Sequence, residues 1–236
     1  MNTVYVSRFC SWAPGLAAPG DWDDWAAGRR EIAVLGESPA LDFSDTGKLA
    51  LAPKEFALFK RRLSQISRMT IHVLHELLSA ADDVKTVFVS FRGEIQQQFK
   101  INRMLIEDGE LSPAAFSQSV FNTPPALASI ALGLTAGYTA VYPANGRFDT
   151  GFQAAAAPLL SGATGEVSLR EIPPKEIALV YADELCPDEY KCRERYAPLA
   201  FAAMLKTEAP GIPVSQNHQA SPEEFLKYLY RNRSGV

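Results

Sequence analysis

The sequence predicts an α/β fold: a five-stranded, mostly parallel sheet with helices on both faces. Three observations carry this. Short runs rich in apolar, β-branched and aromatic residues recur at Thr3–Cys10, Thr86–Phe91, Tyr138–Tyr142, Ile177–Ala182 and Ala197–Leu205, and read as strands. Helical patterns lie between most of them. Runs such as Ile177–Ala182 (IALVYA) are continuously apolar, the habit of strands buried on both faces, and right-handed crossovers make such neighbours parallel.

Thr3–Cys10 (TVYVSRFC) is the first strand. Residues 11–53 form a long irregular connection containing Trp12, Trp22 and Trp25, five Gly and four Pro. A connection of that length inside a domain is a surface loop anchored by its tryptophans or a partner contact. From Lys54 a helical pattern runs to about Ala81, broken near Ser64–Ser67, with Leu63, Ile66, Thr70, Val73, Leu74 and Leu77 on one buried face. Arg68, His72, His75 and Ser79 lie on another face. This reads as a solvated polar stripe rather than a metal site, although His72, His75 and Glu76 share one turn. Lys60-Arg61-Arg62 reads as a solvated charge run that could attract an acidic carrier protein.

Thr86–Phe91 (TVFVSF) is the second strand and Ile95–Ile106 a helix. The stretch from Gly109 to Leu160 organises the rest. Pro113 follows Ser112, the N-cap of a short helix to Val120. A loop, Phe121-Asn122-Thr123-Pro124-Pro125, precedes an apolar helix over Ala126–Leu134. Tyr138–Tyr142 reads as a buried strand, Pro143–Gly146 as a tight turn, and Phe148–Ala157 as an Ala-rich helix ended by Pro158. Later, Ile177–Ala182 is a buried strand and Ala197–Leu205 an edge strand. Pro173-Pro174 and Pro210–Pro213 punctuate loops. Ser221–Arg231 is an amphipathic helix with a Ser221/Glu224 capping box.

A strand, a sharp turn and an immediate helix place one residue at the C-terminal edge of the sheet beside a helix N-terminus, where α/β enzymes hold a nucleophile. Here that turn holds Ala144, Asn145, Gly146 and Arg147, and no Cys, Ser or His lies between Thr139 and Thr150. The run LSPAAFSQSVFNTPPALASIALGL resembles the segment preceding the nucleophile of β-ketoacyl synthases, in the thiolase-like superfamily. It is most similar to the short chain-length-factor-type members found in bacterial polyene and polyketide clusters. Through Leu134–Val141 the resemblance puts Asn145 at the position of the synthase cysteine. It makes Phe121, Asn122, Thr123, Ala144 and Gly146 the loop beside that site and beside an acyl tunnel. Asn122 is expected to fix this loop by side-chain hydrogen bonds, with Phe121 largely buried.

The resemblance implies a thiolase-like half: one domain over residues 1–236, without the second half that carries a synthase's histidines. His218, in the polar loop Pro213–Ser221, matches no catalytic motif. No G-x-S-x-G elbow, G-x-G-x-x-G turn or Walker loop is present. Cys10, Cys186 and Cys192 form neither a disulfide framework nor a zinc set, and neither a cofactor nor a metal is expected. A net charge of −4 argues against nucleic acid as principal partner. Nothing resembles a signal peptide or membrane span, so a cytoplasmic protein is expected.

The function implied is that of a non-catalytic partner subunit of a β-ketoacyl synthase in fatty-acid or polyketide-type synthesis. The alternatives are a carrier-dependent acyltransferase or hydrolase with a relocated nucleophile, and a scaffold binding an acyl carrier protein. Tyr138–Tyr142 (YTAVY) is uncharged and β-prone, a hazard as a bare edge. It is expected to be covered by its own copy in a dimer, by a synthase chain, or by the Trp-rich segment 11–30 and the terminal helix.

Overall fold

The computed structural model describes residues 3–143, 146–163, 174–190, 197–215 and 220–233. In chain order these form β1 (Val4–Trp12), α1 (Pro19–Ala26), α2 (Pro53–Phe59), α3 (Gln65–Leu77), β2 (Lys85–Val89), α4 (Ile95–Glu107) and α5 (Pro113–Ser117). Then follow α6 (Thr123–Leu132), β3 (Tyr138–Val141), α7 (Phe148–Ala163), β4 (Glu176–Asp183), β5 (Leu199–Lys206), β6 (Ile212–Val214) and α8 (Pro222–Asn232).

The described strands make one six-stranded sheet in the order β3-β2-β4-β5-β1-β6. Only β3-β2 and β2-β4 are parallel; β4-β5, β5-β1 and β1-β6 are antiparallel. The sheet is therefore mixed, not mostly parallel. The reason is the connections: a parallel pair needs a crossover of a dozen or more residues, usually a helix. Helices stand between β2 and β3 and between β3 and β4, but no described helix lies between β4 and β5 or between β5 and β6. The sixth strand, β6, was hidden by Pro213 at its centre. Pro213 pairs with Tyr5 at the sheet's outer edge, where a missing N–H does no harm. β5 is central rather than an edge, and Leu199–Leu205 are all buried, so its unbroken apolar run serves two faces. β3, read as buried, is the terminal strand and half-exposed.

Side chains alternate between two cores. Ile177, Leu179, Tyr181, Phe201, Ala203 and Leu205 face α1, α7 and α8, with Phe148 and Phe225 fully buried among them. Ala178, Val180, Ala182, Ala200, Ala202 and Met204 face the other way, toward α2, α3 and α6. The small residues on that face let α3 lie close along the sheet. Each fully buried large side chain contributes about 1.5–3 kcal/mol. On the opposite face the close approach is made by Gly151 of α7, where an added Cβ would stand 2.6 Å from Val89 Cγ1.

The break in the helical pattern is real. α2 ends in a tight turn at Lys60–Arg62, and Ser64 caps α3 by accepting the Ser67 N–H at 3.2 Å. All six residues read as the buried face are buried. The polar face is solvated only in part: Ser79 is exposed, while the 43–48 loop packs on His72 and His75. His75 is 2% exposed, stacks on Phe43 at 3.7 Å and donates from Nε2 to the Asp45 carbonyl at 2.8 Å. Among the described residues no His, Cys, Asp or Glu trio could hold a metal.

Three further boundaries move for physical reasons. Thr123, Pro124 and Pro125 open α6 instead of preceding it, since a helix's first turn has no use for those N–H groups. α7 continues through Pro158 to Ala163, the stripe Phe152, Ala155, Ala156 and Leu159 holding it on the sheet. The 11–53 connection contains α1, started at Pro19 by Asp21, which accepts the Ala17 and Ala18 N–H groups. Trp22 and Trp25 are buried: Trp22 stacks on Tyr230 of α8 at 5.3 Å, and Arg231 donates to the Ala26 carbonyl. α1 and α8 thus pack on each other over the β1 side of the sheet and do not cover β3 at its opposite end. Ser221 does cap α8, accepting the Glu224 N–H at 3.1 Å. No described helix is long and apolar enough to cross a membrane.

Candidate functional site

The parallel trio β3-β2-β4 sends its three C-terminal ends to one edge: Val89 is in register with Val141 and with Tyr181. α4 and α7 begin at that edge because they leave β2 and β3 there. α3 and α6 also begin there, because each ends where the next strand starts. Four helix N-termini, whose first N–H groups have no partner within the helix, therefore gather at one rim.

Asp183 organises it from within. One carboxylate oxygen accepts Ser90 Oγ at 2.6 Å and the Arg92 N–H at 3.1 Å; the other accepts Tyr181 OH at 2.6 Å, and the Phe91 N–H reaches both at 3.2 Å. Ser90 Oγ in turn accepts the Gly93 N–H at 2.7 Å. These bonds shape the turn 90–93. Burial pushes the Asp183 carboxyl above the ordinary range against the pull of those donors, and burial together with the Asp183 charge pushes the Tyr181 phenol well up.

Gly93 has φ +58 and lies under Phe121, whose ring would meet an added Cβ at 2.7 Å. Phe121 also packs edge-on against Phe88 at 6.2 Å and Tyr142 at 6.3 Å, which joins the 121–123 segment to the strand–turn–helix after β3. It is partly buried. Asn122 is exposed and donates to Tyr138 OH at 3.2 Å, one bond from loop to strand. Thr123 is buried, its hydroxyl donating to the Ser117 carbonyl at 3.2 Å. Gly146 is exposed, and Arg147 beside it chelates Asp149, holding that carboxyl below its usual range. Ala144 and Asn145 lie outside the described residues, as do Cys192 and His218. Phe121, Thr123 and Gly146 are thus ranged along one rim by the elements that carry them.

Sequence reading missed Ser90, Glu94, Tyr181, Asp183 and Glu184. The available signal was the pair of carboxylates closing the most apolar strand, IALVYADE, and the Gly93-Glu94 pair just before a helix. Glu94 and Glu184 are 0% and 1% exposed. Of the cysteines, Cys10 is shut in: its thiol donates to the Val73 carbonyl at 2.9 Å, and burial pushes it up to about 12, which leaves no thiolate at neutral pH.

The chain superposes over 98% of its length on 92% of a chain in the structure of the ketosynthase ApeO in complex with its chain length factor ApeC from Xenorhabdus doucetiae, at a TM-score of 0.66 and 18% identity. It matches the ishigamide ketosynthase/chain length factor at 0.59 and 11% identity, covering 89% of this chain and 64% of that one. For the ketosynthase from module 1 of the bacillaene synthase of Bacillus amyloliquefaciens FZB42 the values are 0.53 and 14%, covering 87% and 41%. The chain thus spans less than two thirds of the length of the latter two. No curated protein sequence matches it. The family model for the beta-ketoacyl synthase N-terminal domain matches residues 22–229, and the chain belongs to that family.

Proposed function

We propose that the chain is a non-catalytic, chain-length-factor-like subunit, a single domain that partners a ketosynthase in polyketide- or fatty-acid-type synthesis. The observation that carries this reading is the strand–turn–helix segment itself. From Ala140 to Asp149 it contains no Cys, Ser, Thr or His, and the family resemblance sets Asn145 where the synthase cysteine stands. An amide cannot form the thioester on which condensation depends. The rim residues Phe121, Asn122, Thr123 and Gly146 then line the space offered to a growing acyl chain without reacting with it.

Two observations support a protein partner. In the ApeO–ApeC structure a ketosynthase is paired with its chain length factor. In this chain Ile106 is 82% exposed, Tyr142 64% and Phe116 54%, on α4, beside β3 and on α5. Apolar side chains so open to water, Tyr142 beside the terminal strand among them, suit contact with a partner. The partner is a ketosynthase chain or a second copy, with an acyl carrier protein delivering substrate to the pair.

The chemical prediction is that the purified chain, incubated with acyl and malonyl carrier thioesters, gains no covalent acyl mass and releases no carbon dioxide. An adduct seen by intact-mass spectrometry would reject the non-catalytic reading. The assembly prediction uses the ladder geometry. Thr86 and Ser90 donate to the carbonyls of Gly137 and Val141, so by alternation Ala140 turns its own N–H away from β2. Ala140→Pro removes that outward donor at an edge position that tolerates proline. It should weaken association, by light scattering with and without a ketosynthase, about tenfold or more, as should Tyr142→Lys. Unchanged association in both variants would place the interface elsewhere.

A further inference from the structure

Glu94 and Glu184 stand at the helix-start side of the rim described above, and they are among the most deeply buried groups of the molecule. Glu94 precedes the first residue of α4, and Glu184 follows the last residue of β4. Glu94 Oε1 accepts the hydroxyls of Ser64 and Ser67, each at 2.7 Å, while its Oε2 is buried with no hydrogen-bond partner. Glu184 Oε1 accepts the Gln96 N–H at 3.1 Å and its Oε2 the Ile66 N–H at 3.4 Å. Both carboxyls therefore converge on the first turn of α3, and Glu184 ties that turn to the first turn of α4.

The remaining charged and titratable groups around the pair are Lys100 on α4, Arg92 in the preceding turn, and Asp183 on β4. Among the described residues neither glutamate forms an ion pair. Two ionised carboxylates side by side without a bound cation are costly in a buried site, and an unpaired buried oxygen marks where one charge is unsupported.

We propose that Glu94 and Glu184 are a proton-binding site, holding at least one proton at neutral pH, and that this proton is the pin of a latch fastening the N-termini of α3 and α4 to the end of β4. Burial pushes Glu94 up to about 7 and Glu184 up to about 8, the latter raised further by the Glu94 charge and opposed by its backbone donors. Both values lie above the unfolded carboxyl value of 4.5, so the folded state holds protons that the unfolded chain gives up. The latch is fully closed below about pH 4.5 and is lost as pH rises through about 7 to 8. Asp183, also raised, acts in the same direction; His72, lowered by burial, acts in the opposite one. α4 ends in the exposed Leu105 and Ile106, so the latch would also set the order of the face offered to a partner. That consequence rests on the proposed function; the latch itself does not.

The test compares melting curves and amide exchange of the wild-type chain and Glu94→Gln between about pH 5.5 and pH 8.5. The wild type should lose about 5–10 °C of melting temperature over that range. Exchange at the start of α4 should accelerate about tenfold beyond its intrinsic pH dependence. Glu94→Gln should lose less than half as much and melt above the wild type at the alkaline end. Parallel curves for the two proteins would overturn the proposal. So would recovery of the alkaline melting temperature by sodium or potassium chloride but not choline chloride, which would make this a cation site. Should Glu94→Gln not fold, calorimetry of the wild type near pH 6.5, in buffers of different ionisation heat, should show release of about one proton or more on unfolding. Zero release or net uptake would overturn it.

Discussion

Asp183→Ala should cost the fold about 3–5 kcal/mol, read as a shift in the urea midpoint with an unchanged slope. The substitution leaves the Ser90 and Tyr181 hydroxyls and the Phe91 N–H without their acceptor and the Arg92 N–H with only Ser90 Oγ at 3.3 Å, and Ser90 and Tyr181 are 0% and 5% exposed. Water cannot replace the carboxylate there without opening the end of β2. Since a domain's whole stability is about 5–15 kcal/mol, this one change removes a large share of it. Tyr181→Phe, which deletes a single donor, should cost only about 1 kcal/mol. Equal effects of the two substitutions would mean that the carboxylate holds the phenol and not the turn 90–93. The turn matters beyond stability, because Gly93 carries Phe121 and through it the rim.

Gly151→Ala should destabilise although alanine is the better helix former. Propensity favours alanine by about 1 kcal/mol. Against this, the new Cβ would lie 2.6 and 2.7 Å from the two γ-methyls of Val89. Val89 is β-branched and in a central strand, so it cannot rotate away, and overpacking of this kind costs about 1–3 kcal/mol. The net expectation is a loss of up to about 2 kcal/mol. Val89→Ala alone should also destabilise, by leaving a cavity under α7. Together the two changes should be milder than their sum by at least about 1 kcal/mol, because the added methyl takes the vacated space. Strict additivity in thermal or urea unfolding would show that α7 is free to lift off β2, against the close contact seen here.

Where the sequence was legible, its signals were local. Ser112 and Ser221 each cap the helix that follows them, because a cap needs only a hydroxyl and an N–H three residues on. The face Leu63–Leu77 was readable because its period is that of one helix. The family resemblance of the central stretch, supported over residues 22–229, likewise rests on residues contiguous in the chain. Legibility failed where a residue's role depends on a distant partner. Trp22 and Trp25 do anchor the 11–53 connection, but that Trp22 does so on Tyr230 is not legible, because that ring comes 208 residues later. His75 was read as solvated because the Phe43 ring that covers it lies in an irregular loop.

From the sequence alone came the class of fold, the family it resembles, and the lack of any nucleophile between Thr139 and Thr150, since these depend on which residues are present and in what order. Strand direction, the central place of β5 and the exposure of β3 were decided only in three dimensions, by the lengths and paths of the connections. The carboxylate cluster is the sharpest instance. Glu94 and Glu184 are two ordinary charged letters 90 positions apart, and nothing in either neighbourhood says they will be buried together. Packing α3 and α4 against the end of β4 takes both out of water, and it is desolvation, a property of the assembled fold, that changes their chemistry.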